Sequence, residues 1–298
     1  MEKKKFDGVL ICSDIDGTLF FHSQSMEKGL VPENACKAIK YFQDNGGRFT
    51  LATGRFPRYA ATALSQFITP NAPLVTLNGT VIYDAKLDKM LSKSPLNDDI
   101  ARLSYDVINK IPTMTRTYLH CDGNVSYSIK RDGSGGFVYK NELDAADTYR
   151  PILSREHFSQ LFGDAVVFKV LYIFREEDSD SALAEITEMF PEYAISRSWI
   201  KGIELNRADA DKAHGTRFLA DLLGDVKLLV CVGDFENDIS MLKAADIGYA
   251  VASARDEVKA AADRVTVKTC AEGAIEEIIE DLERELGSSD KPSPQERT

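Results

Sequence analysis

Residues 9–19 read Val-Leu-Ile-Cys-Ser-Asp-Ile-Asp-Gly-Thr-Leu, an apolar run that ends in two carboxylates and a Gly-Thr turn. A short apolar run that stops at a turn is typical of a strand buried on both faces of a parallel sheet. Ligands of such sheets bind at the carboxyl ends of the strands. Asp14 and Asp16 would lie at that edge, where paired negative charges are costly without a cation. The segment therefore predicts a site for a divalent metal and a phosphate.

The chain alternates strands with helices at both of its ends. Residues 1–83 and 207–286 therefore predict one doubly wound, Rossmann-like α/β core with a parallel sheet. Residues 84–206 instead contain half-buried alternating strands and an Asp-Gly hairpin signal, and they predict an inserted α+β cap domain. Within it, residues 132–136 predict a flexible loop. The polar tail, 287–298, contains two prolines and is predicted to be disordered.

Net charge, apolar content and cysteine pattern disfavour several classes of protein. The net charge of −11 disfavours nucleic-acid binding, and no run approaches the roughly 20 apolar residues of a membrane span. The N-terminus lacks a signal-like apolar segment. Five scattered cysteines without a CxxC pair predict reduced thiols in the cytoplasm, and four dispersed histidines give no zinc signature. The sequence does not predict an oligomeric state.

Acidic residues follow several of the predicted strands. Asp14, Asp16, Asp234 and Asp238 would meet at one sheet edge, because the carboxyl ends of parallel strands converge there. At about 4 Å and an effective dielectric of about 20, each like-charge pair costs roughly 4 kcal/mol. An all-oxygen ligand set predicts Mg²⁺ as the neutralising cation. Lys212, at the start of the returning helix, would help a phosphate dianion to approach.

These residues predict phosphoryl transfer through a carboxylate nucleophile. One aspartate would attack phosphorus and form an aspartyl-phosphate. Asp16 would protonate the leaving oxygen and then activate water. Hydrogen-bond donors for the transferred group are the Thr53 hydroxyl, the Gly54 backbone N–H and the Asn237 amide. Arg55 could bind substrate or pair with a neighbouring acid.

Four segments resemble, in order, the four motifs of the haloacid dehalogenase superfamily. They are Asp14-Ile-Asp-Gly-Thr-Leu, Ala52-Thr-Gly-Arg, Lys212 and Gly233-Asp-Phe-Glu-Asn-Asp. Residues 77–80, Leu-Asn-Gly-Thr, and the position of the insertion between the second and third motifs resemble the Cof-type phosphatases, which carry a large type-two cap. One departure is Ala252-Ser253-Ala254, where members of the family often have Gly-Asn-Ala.

The resemblance implies a role for each matching residue. Asp14 would be the nucleophile and a metal ligand, and Asp16 the acid/base whose backbone carbonyl touches Mg²⁺. Asp234 would bind the metal, and Asp238 would support it. The phosphate would be held by a set of five residues: Thr53, Gly54, Lys212, Asn237 and the backbone N–H of Ile15.

The predicted function is a Mg²⁺-dependent phosphatase acting on small phosphorylated metabolites, such as sugar phosphates or phosphorylated cofactors. The inserted domain would limit access and choose the leaving group. One alternative is a phosphosugar mutase or other phosphotransferase of the same superfamily. Another is a non-catalytic receiver-like binding protein, although receivers are much shorter and lack an inserted cap.

Overall fold

The computed structural model describes residues 4–21 and 30–289. The chain divides into two compact units, which we call the first unit (residues up to Leu91 and from Lys212 onward) and the second unit (Ser92–Asp211). The sequence predicted an insertion from residue 84 to residue 206, and both limits lie a few residues before those of the second unit. Among the described residues, no helix is both long and apolar enough to cross a bilayer.

Strands and helices alternate in the first unit, and strands dominate the second. The strands are β1 Val9–Ser13, β2 Arg48–Leu51, β3 Leu74–Thr76, β4 Val81–Asp84, β5 Lys89–Lys93, β6 Arg116–Cys121, β7 Val125–Arg131, β8 Phe137–Asn141, β9 Arg150–Ile152, β10 Val167–Ile173, β11 Tyr193–Trp199, β12 Gly202–Arg207, β13 Leu228–Gly233, β14 Ile247–Ala250 and β15 Arg264–Val265. The α-helices are α1 Glu33–Asp44, α2 Pro57–Leu64, α3 Asp106–Lys110, α4 Arg155–Phe162, α5 Ser179–Met189, α6 Lys212–Leu223, α7 Ile239–Ala244, α8 Asp256–Ala261 and α9 Ala274–Ser289.

A parallel sheet with the order β15-β14-β13-β1-β2 forms the centre of the first unit. Every residue of β1 is buried, as its continuous apolar sequence predicts. From β1 the chain moves outward through α1 to β2, and from β13 it moves the opposite way through α7 and α8. Because such crossovers are right-handed, the two directions put helices on opposite faces. The doubly wound α/β core expected from the sequence is confirmed.

Beyond β2 the sheet continues through a small antiparallel element. Ala52 forms a parallel bridge with Val75 of β3, β3 pairs with β4 in antiparallel order, and β5 lies on the other side of β4. This β4–β5 hairpin was not predicted, since its exposed, charged outer strand has no apolar periodicity. The turn between β3 and β4, Leu77–Gly79, lies at the same edge as the end of β1.

The second unit is a seven-stranded antiparallel sheet with the order β11-β12-β10-β6-β7-β8-β9. Its apolar side chains form one core with residues of the helices, among them Val107 of α3, Phe158 of α4 and Ile186 of α5. The inserted module is thus built from strands and helices. Helices α3 and α4 and strands β8 and β9 were missed, because short elements carry little periodic signal.

Residues 132–136 form a hairpin turn between β7 and β8. The carboxylate of Asp132 accepts hydrogen bonds from the backbone N–H groups of Ser134 and Gly136, at 2.9 and 2.8 Å. We expected a flexible loop and did not predict this hairpin. The glycine-rich composition gave no sign that the side chain of Asp132 would close a turn. At the other end of the chain, α9 runs to Ser289, so residues 287–289 are helical rather than disordered. Residues 290–298 lie outside the described part.

Gly215 on α6 tests how tightly this helix packs in the first unit. A Cβ atom there would lie 2.6 Å from Val75 Cγ1 and 2.7 Å from Gly79 Cα. We expect Gly215→Ala to lower the free energy of unfolding by about 1–3 kcal/mol, because a backbone atom cannot move aside easily. Urea denaturation measures the change.

Gly287→Ala is the matched control, since Gly287 is also helical and a Cβ there meets nothing within 4 Å. At that position, stability should stay the same or rise by up to about 1 kcal/mol. Equal effects of the two substitutions would contradict the packing argument.

The second unit should lose stability in mild acid through His120. This residue lies beside Lys169, which forms a buried ion pair with Glu204 at 2.6 Å. Burial, together with the charge of Lys169, holds the pKa of His120 well below its usual 6.5. The folded state therefore binds this proton at a lower pH than the unfolded chain does, and stability falls as the pH drops below about 6.5.

We expect His120→Gln to reduce that slope by up to about 1.4 kcal/mol per pH unit between pH 6.5 and 5. The check is a series of urea denaturations across this range. Parallel stability curves for the wild type and the variant would show that His120 does not contribute.

Candidate active site

The first two acids of the site come from neighbouring strands. Asp14 follows β1 and donates its backbone N–H to Val232 of β13 at 2.9 Å, while Asp234 follows β13 itself. Asp238 lies at the end of a 3₁₀ turn, Glu236–Asp238. Carboxylate oxygens of Asp14, Asp234 and Asp238 all lie within 4.8 Å of one another. We call these three residues the acid cluster.

The Gly-Thr turn after β1 packs directly on Asp234. Gly17 has a φ of +86°, and a Cβ atom there would lie 2.3 Å from Asp234 Oδ2. Only glycine satisfies both the left-handed backbone and this close approach. Thr18 donates its hydroxyl to Asp234 Oδ1 at 2.5 Å. The turn therefore fixes the orientation of the Asp234 carboxylate.

Lys212, the first residue of α6, bridges two members of the acid cluster. Its ammonium donates to Asp14 Oδ1 and to Asp238 Oδ1, both at 2.6 Å, and its side chain is fully buried. Burial opposes the charge, but the two carboxylates outweigh it and raise the pKa of Lys212. The lysine is therefore a permanent cation at the edge of the sheet.

Asp238 holds the backbone at the end of β13. Its Oδ2 accepts hydrogen bonds from the backbone N–H groups of Asp234 and Phe235, at 3.0 and 3.1 Å. A Cβ at Gly233 would lie 2.4 Å from the Cβ of Asp238, so glycine is required there as well. Both oxygens of this carboxylate hold protein groups in place.

Negative charge in the acid cluster exceeds what one lysine neutralises. Burial and the neighbouring acids Asp238, Asp234 and Asp16 raise the pKa of Asp14 well above its ordinary value, against the attraction of Lys212. Burial and Asp238 likewise raise the pKa of Asp234 to about 7. Such carboxylates favour a bound cation, which would let them ionise together.

Asp16 points to a different partner. Both of its carboxylate oxygens accept hydrogen bonds from the guanidinium of Arg55, with the Nε–Oδ2 distance at 2.8 Å. The guanidinium also lies 5.8 Å from the centre of the Phe20 ring. Of the two roles left open for Arg55, the structure places it in an ion pair with an acid.

A hydrogen-bonded network extends from the second strand to the fourth motif. Thr53 donates its backbone N–H to Val75 O at 2.9 Å and accepts at its own carbonyl from Asn78 N at 3.0 Å. Its hydroxyl accepts from the Arg55 N–H at 3.2 Å. The Asn237 amide donates to Asn78 Oδ1 at 3.4 Å. Thr53 and Asn237 are thus joined through Asn78.

The structure brings together most of the residues that the sequence singled out. Asp14, Asp234, Asp238 and Lys212 contact one another or lie within a few ångströms. Gly54 continues the turn after Thr53. The Ile15 side chain is fully buried, and its carbonyl accepts from Leu19 and Phe20 at 3.0 and 2.7 Å.

Two residues of the site were not assigned a role from the sequence. Thr18 was part of the first motif, and a hydroxyl beside two acids could have indicated its contact with Asp234. Asn78 carried part of the resemblance to the Cof-type phosphatases within residues 77–80, but no role was assigned to it, although it follows β3 at the same sheet edge as Thr53.

Known proteins are similar to this one along nearly the whole chain. Residues 11–279 match the family of haloacid dehalogenase-like hydrolases. A 5-amino-6-(5-phospho-D-ribitylamino)uracil phosphatase of Bacillus subtilis is 24% identical over 93% of this chain and 97% of its own length. A phosphoglycolate phosphatase of Methanosarcina acetivorans is 26% identical over 92% and 96%. The solved structure of BT4131, a sugar phosphatase of subclass IIB, has a TM-score of 0.66 at 23% identity, covering 92% of this chain and 98% of that one.

The chain belongs to the haloacid dehalogenase-like hydrolases, as its four motifs predicted. Its inserted α+β module and the solved structures of similar fold, which include a HAD/COF-like hydrolase and the subclass IIB sugar phosphatase, support the expected Cof-type membership. The expected class of enzyme, a phosphatase of this superfamily, is confirmed by the same comparisons.

Removing the charge of Lys212 should destabilise the first unit. In Lys212→Met, the carboxylates of Asp14 and Asp238 would remain buried without their shared partner. We expect a loss of about 3–5 kcal/mol in the free energy of unfolding, measured by urea denaturation with a chelator present.

Lys243→Met is the matched control, because Lys243 is exposed on α7 in the same unit. Its effect should stay within about 0.5 kcal/mol. If both variants behaved alike, Lys212 would not be the counter-charge of the acid cluster.

Proposed function

We propose that this protein is a Mg²⁺-dependent phosphatase that hydrolyses small phosphorylated metabolites through an aspartyl-phosphate on Asp14. The observation that carries the proposal is the acid cluster, bridged by the buried Lys212, at the end of β1 in a haloacid dehalogenase-like hydrolase. A structural role alone would not call for three acids so close together.

The donor set fits a hard divalent cation. Asp14 and Asp234 present carboxylate oxygens within 4.8 Å of each other, and burial raises the pKa of both. These two side chains would hold Mg²⁺ together with the backbone carbonyl of Asp16, and Asp238 would support them. When bound, the ion would neutralise the cluster and the phosphate oxygens.

Asp14 would act as the nucleophile. Its Oδ1 is held by Lys212 at 2.6 Å, which orients the carboxylate and supplies a positive charge beside the incoming phosphate. Attack by an Asp14 oxygen on phosphorus forms the acyl-phosphate bond as the ester oxygen leaves. Water then attacks phosphorus, which releases inorganic phosphate and restores Asp14.

Asp16 would move the protons. It would donate one to the leaving oxygen and later accept one from the attacking water. Both of its oxygens now accept from Arg55, so Asp16 has to exchange at least one of these bonds to reach the leaving group. Arg55 would therefore keep Asp16 ordered between turnovers.

Neutral donors would hold the transferred phosphoryl group. The candidates are the Thr53 hydroxyl, the N–H groups of Gly54 and Ile15, and the Asn237 amide. Thr53 is 1% exposed, and its hydroxyl oxygen accepts from the Arg55 N–H, which holds that oxygen in place before substrate binds. Fixed donors stabilise the charge of the transition state without having to reorganise.

The substrate class rests on the relatives and on charge. Those named above act on a phosphorylated ribitylaminouracil, on phosphoglycolate and on sugar phosphates, all of them small anionic esters. A net charge of −11 disfavours nucleic acid as a substrate. Five free cysteines support a reducing compartment such as the cytoplasm.

Replacing Asp14 should abolish turnover. We expect Asp14→Asn to lower kcat for p-nitrophenyl phosphate by at least about 1,000-fold, because the amide cannot form the acyl-phosphate. EDTA should abolish the wild-type activity, and added Mg²⁺ should restore it. Release of inorganic phosphate is the measurement.

Asp221→Asn serves as the matched control, since Asp221 is exposed on α6. It should retain wild-type turnover. Full activity of Asp14→Asn would refute the covalent mechanism. Conversion of a sugar phosphate into its isomer without phosphate release would favour the mutase instead.

A further inference from the structure

The turn after β3 has an unusual backbone. Leu77, Asn78 and Gly79 adopt φ values of 49°, 58° and 99° in succession. The left-handed region is uncommon for residues other than glycine, and leucine is strained there. Such conformations persist only where the surrounding structure enforces them, and they cluster at functional sites.

Hydrogen bonds from several directions enforce this turn. Leu77 donates its backbone N–H to Arg55 O at 3.1 Å, and Asn78 donates to Thr53 O at 3.0 Å. The Thr80 hydroxyl donates back to Leu77 O at 2.9 Å. Gly215 of α6 packs against the Cα of Gly79 from the other side. The turn is therefore tied to the second motif and to the helix that begins with Lys212.

The side chain of Asn78 points from this turn to the fourth motif. It is 3% exposed, and its Oδ1 accepts a hydrogen bond from Asn237 Nδ2 at 3.4 Å, which is longer than the usual range of about 2.7–3.2 Å. Asn237 and Thr53 are both proposed to bind phosphate. Asn78 contacts Asn237 through its side chain and Thr53 through its backbone N–H.

A turn-forming role alone would not require this side chain. Asparagine tolerates left-handed backbone better than most residues, but glycine tolerates it without strain. What glycine lacks is the amide oxygen that accepts from Asn237. An unrestrained Asn237 amide could rotate about its side-chain bonds, and its N–H groups would then have no fixed direction.

We propose that Asn78 is a positioning residue for phosphate binding. By accepting one N–H of Asn237, it directs the second N–H of that amide toward the phosphate. The strained Leu77–Gly79 turn holds Asn78 in register with Thr53. This inference rests on the proposed phosphatase function and extends it to a residue outside the four motifs.

The test is a double-mutant cycle between Asn78→Gly and Asn237→Ala. Glycine keeps the left-handed turn and removes only the amide. With Mg²⁺ present, we expect Asn78→Gly to raise both the KM for p-nitrophenyl phosphate and the inhibition constant of inorganic phosphate by about 5–10-fold, with little change in Tm. Adding Asn78→Gly to Asn237→Ala should change neither constant further, because Asn78 acts through Asn237.

Asn124→Gly is the matched control, because Asn124 is also left-handed, with a φ of 61°, and lies in a turn of the second unit. It should leave both constants unchanged. If Asn78→Gly proves unstable, Asn78→Asp replaces it, since aspartate tolerates the same backbone and keeps an acceptor oxygen. In that background, Asn237→Ala should still raise the inhibition constant of phosphate by its wild-type factor.

Three outcomes would overturn the inference. The constants of Asn78→Gly could equal those of the wild type, or its effect could multiply independently with that of Asn237→Ala. In the Asn78→Asp background, Asn237→Ala could be without effect. In each case an active wild-type enzyme would leave the phosphatase function standing. A wild-type protein that neither hydrolyses p-nitrophenyl phosphate nor binds phosphate would instead overturn the function and this inference together.

Discussion

The ammonium of Lys212 between Asp14 and Asp238 is the interaction on which the rest of the site depends. Three carboxylates within 4.8 Å of one another, two of them buried and that of Asp234 half-buried, would repel strongly in a medium of low dielectric. The lysine offsets part of that charge and joins the start of α6 to the ends of β1 and β13. The remaining negative charge suits a divalent cation, and a cation at this place suits a phosphate.

Glycines let the chain approach these carboxylates closely enough to orient them. Gly17 lies against Asp234 and Gly233 against Asp238, at distances that exclude any side chain. The backbone N–H groups of Asp234 and Phe235 then hold Asp238 in place. These contacts orient the acid cluster on the side facing the sheet, and charges that are already oriented stabilise a transition state without having to reorganise.

A second network, made of neutral groups, runs beside the charged one. It joins three residues that follow different strands: Thr53 after β2, Asn78 after β3 and Asn237 after β13. The charged network would bind the metal and carry the nucleophile, and the neutral one would hold the phosphoryl oxygens. Arg55 links the neutral network to Asp16, because its backbone N–H donates to the Thr53 hydroxyl and its guanidinium holds the Asp16 carboxylate.

The sequence by itself determined the parallel core and the members of the acid cluster. Buried parallel strands are recognisable in a sequence as continuous apolar runs. The acids that follow β1 and β13 lie close together because those strands end at the same edge of the sheet. Lys212 could be chosen for the same reason. The sequence could not show that Asp16 turns away to Arg55, that Thr18 holds Asp234, or that Asn78 links Thr53 to Asn237. Side-chain direction and left-handed backbone depend on contacts between segments far apart in the chain, and only the tertiary structure sets those contacts. Short strands such as β4 and β8 were not predicted for a related reason. They form strands because they pair with their neighbours, and their own sequences show little periodicity.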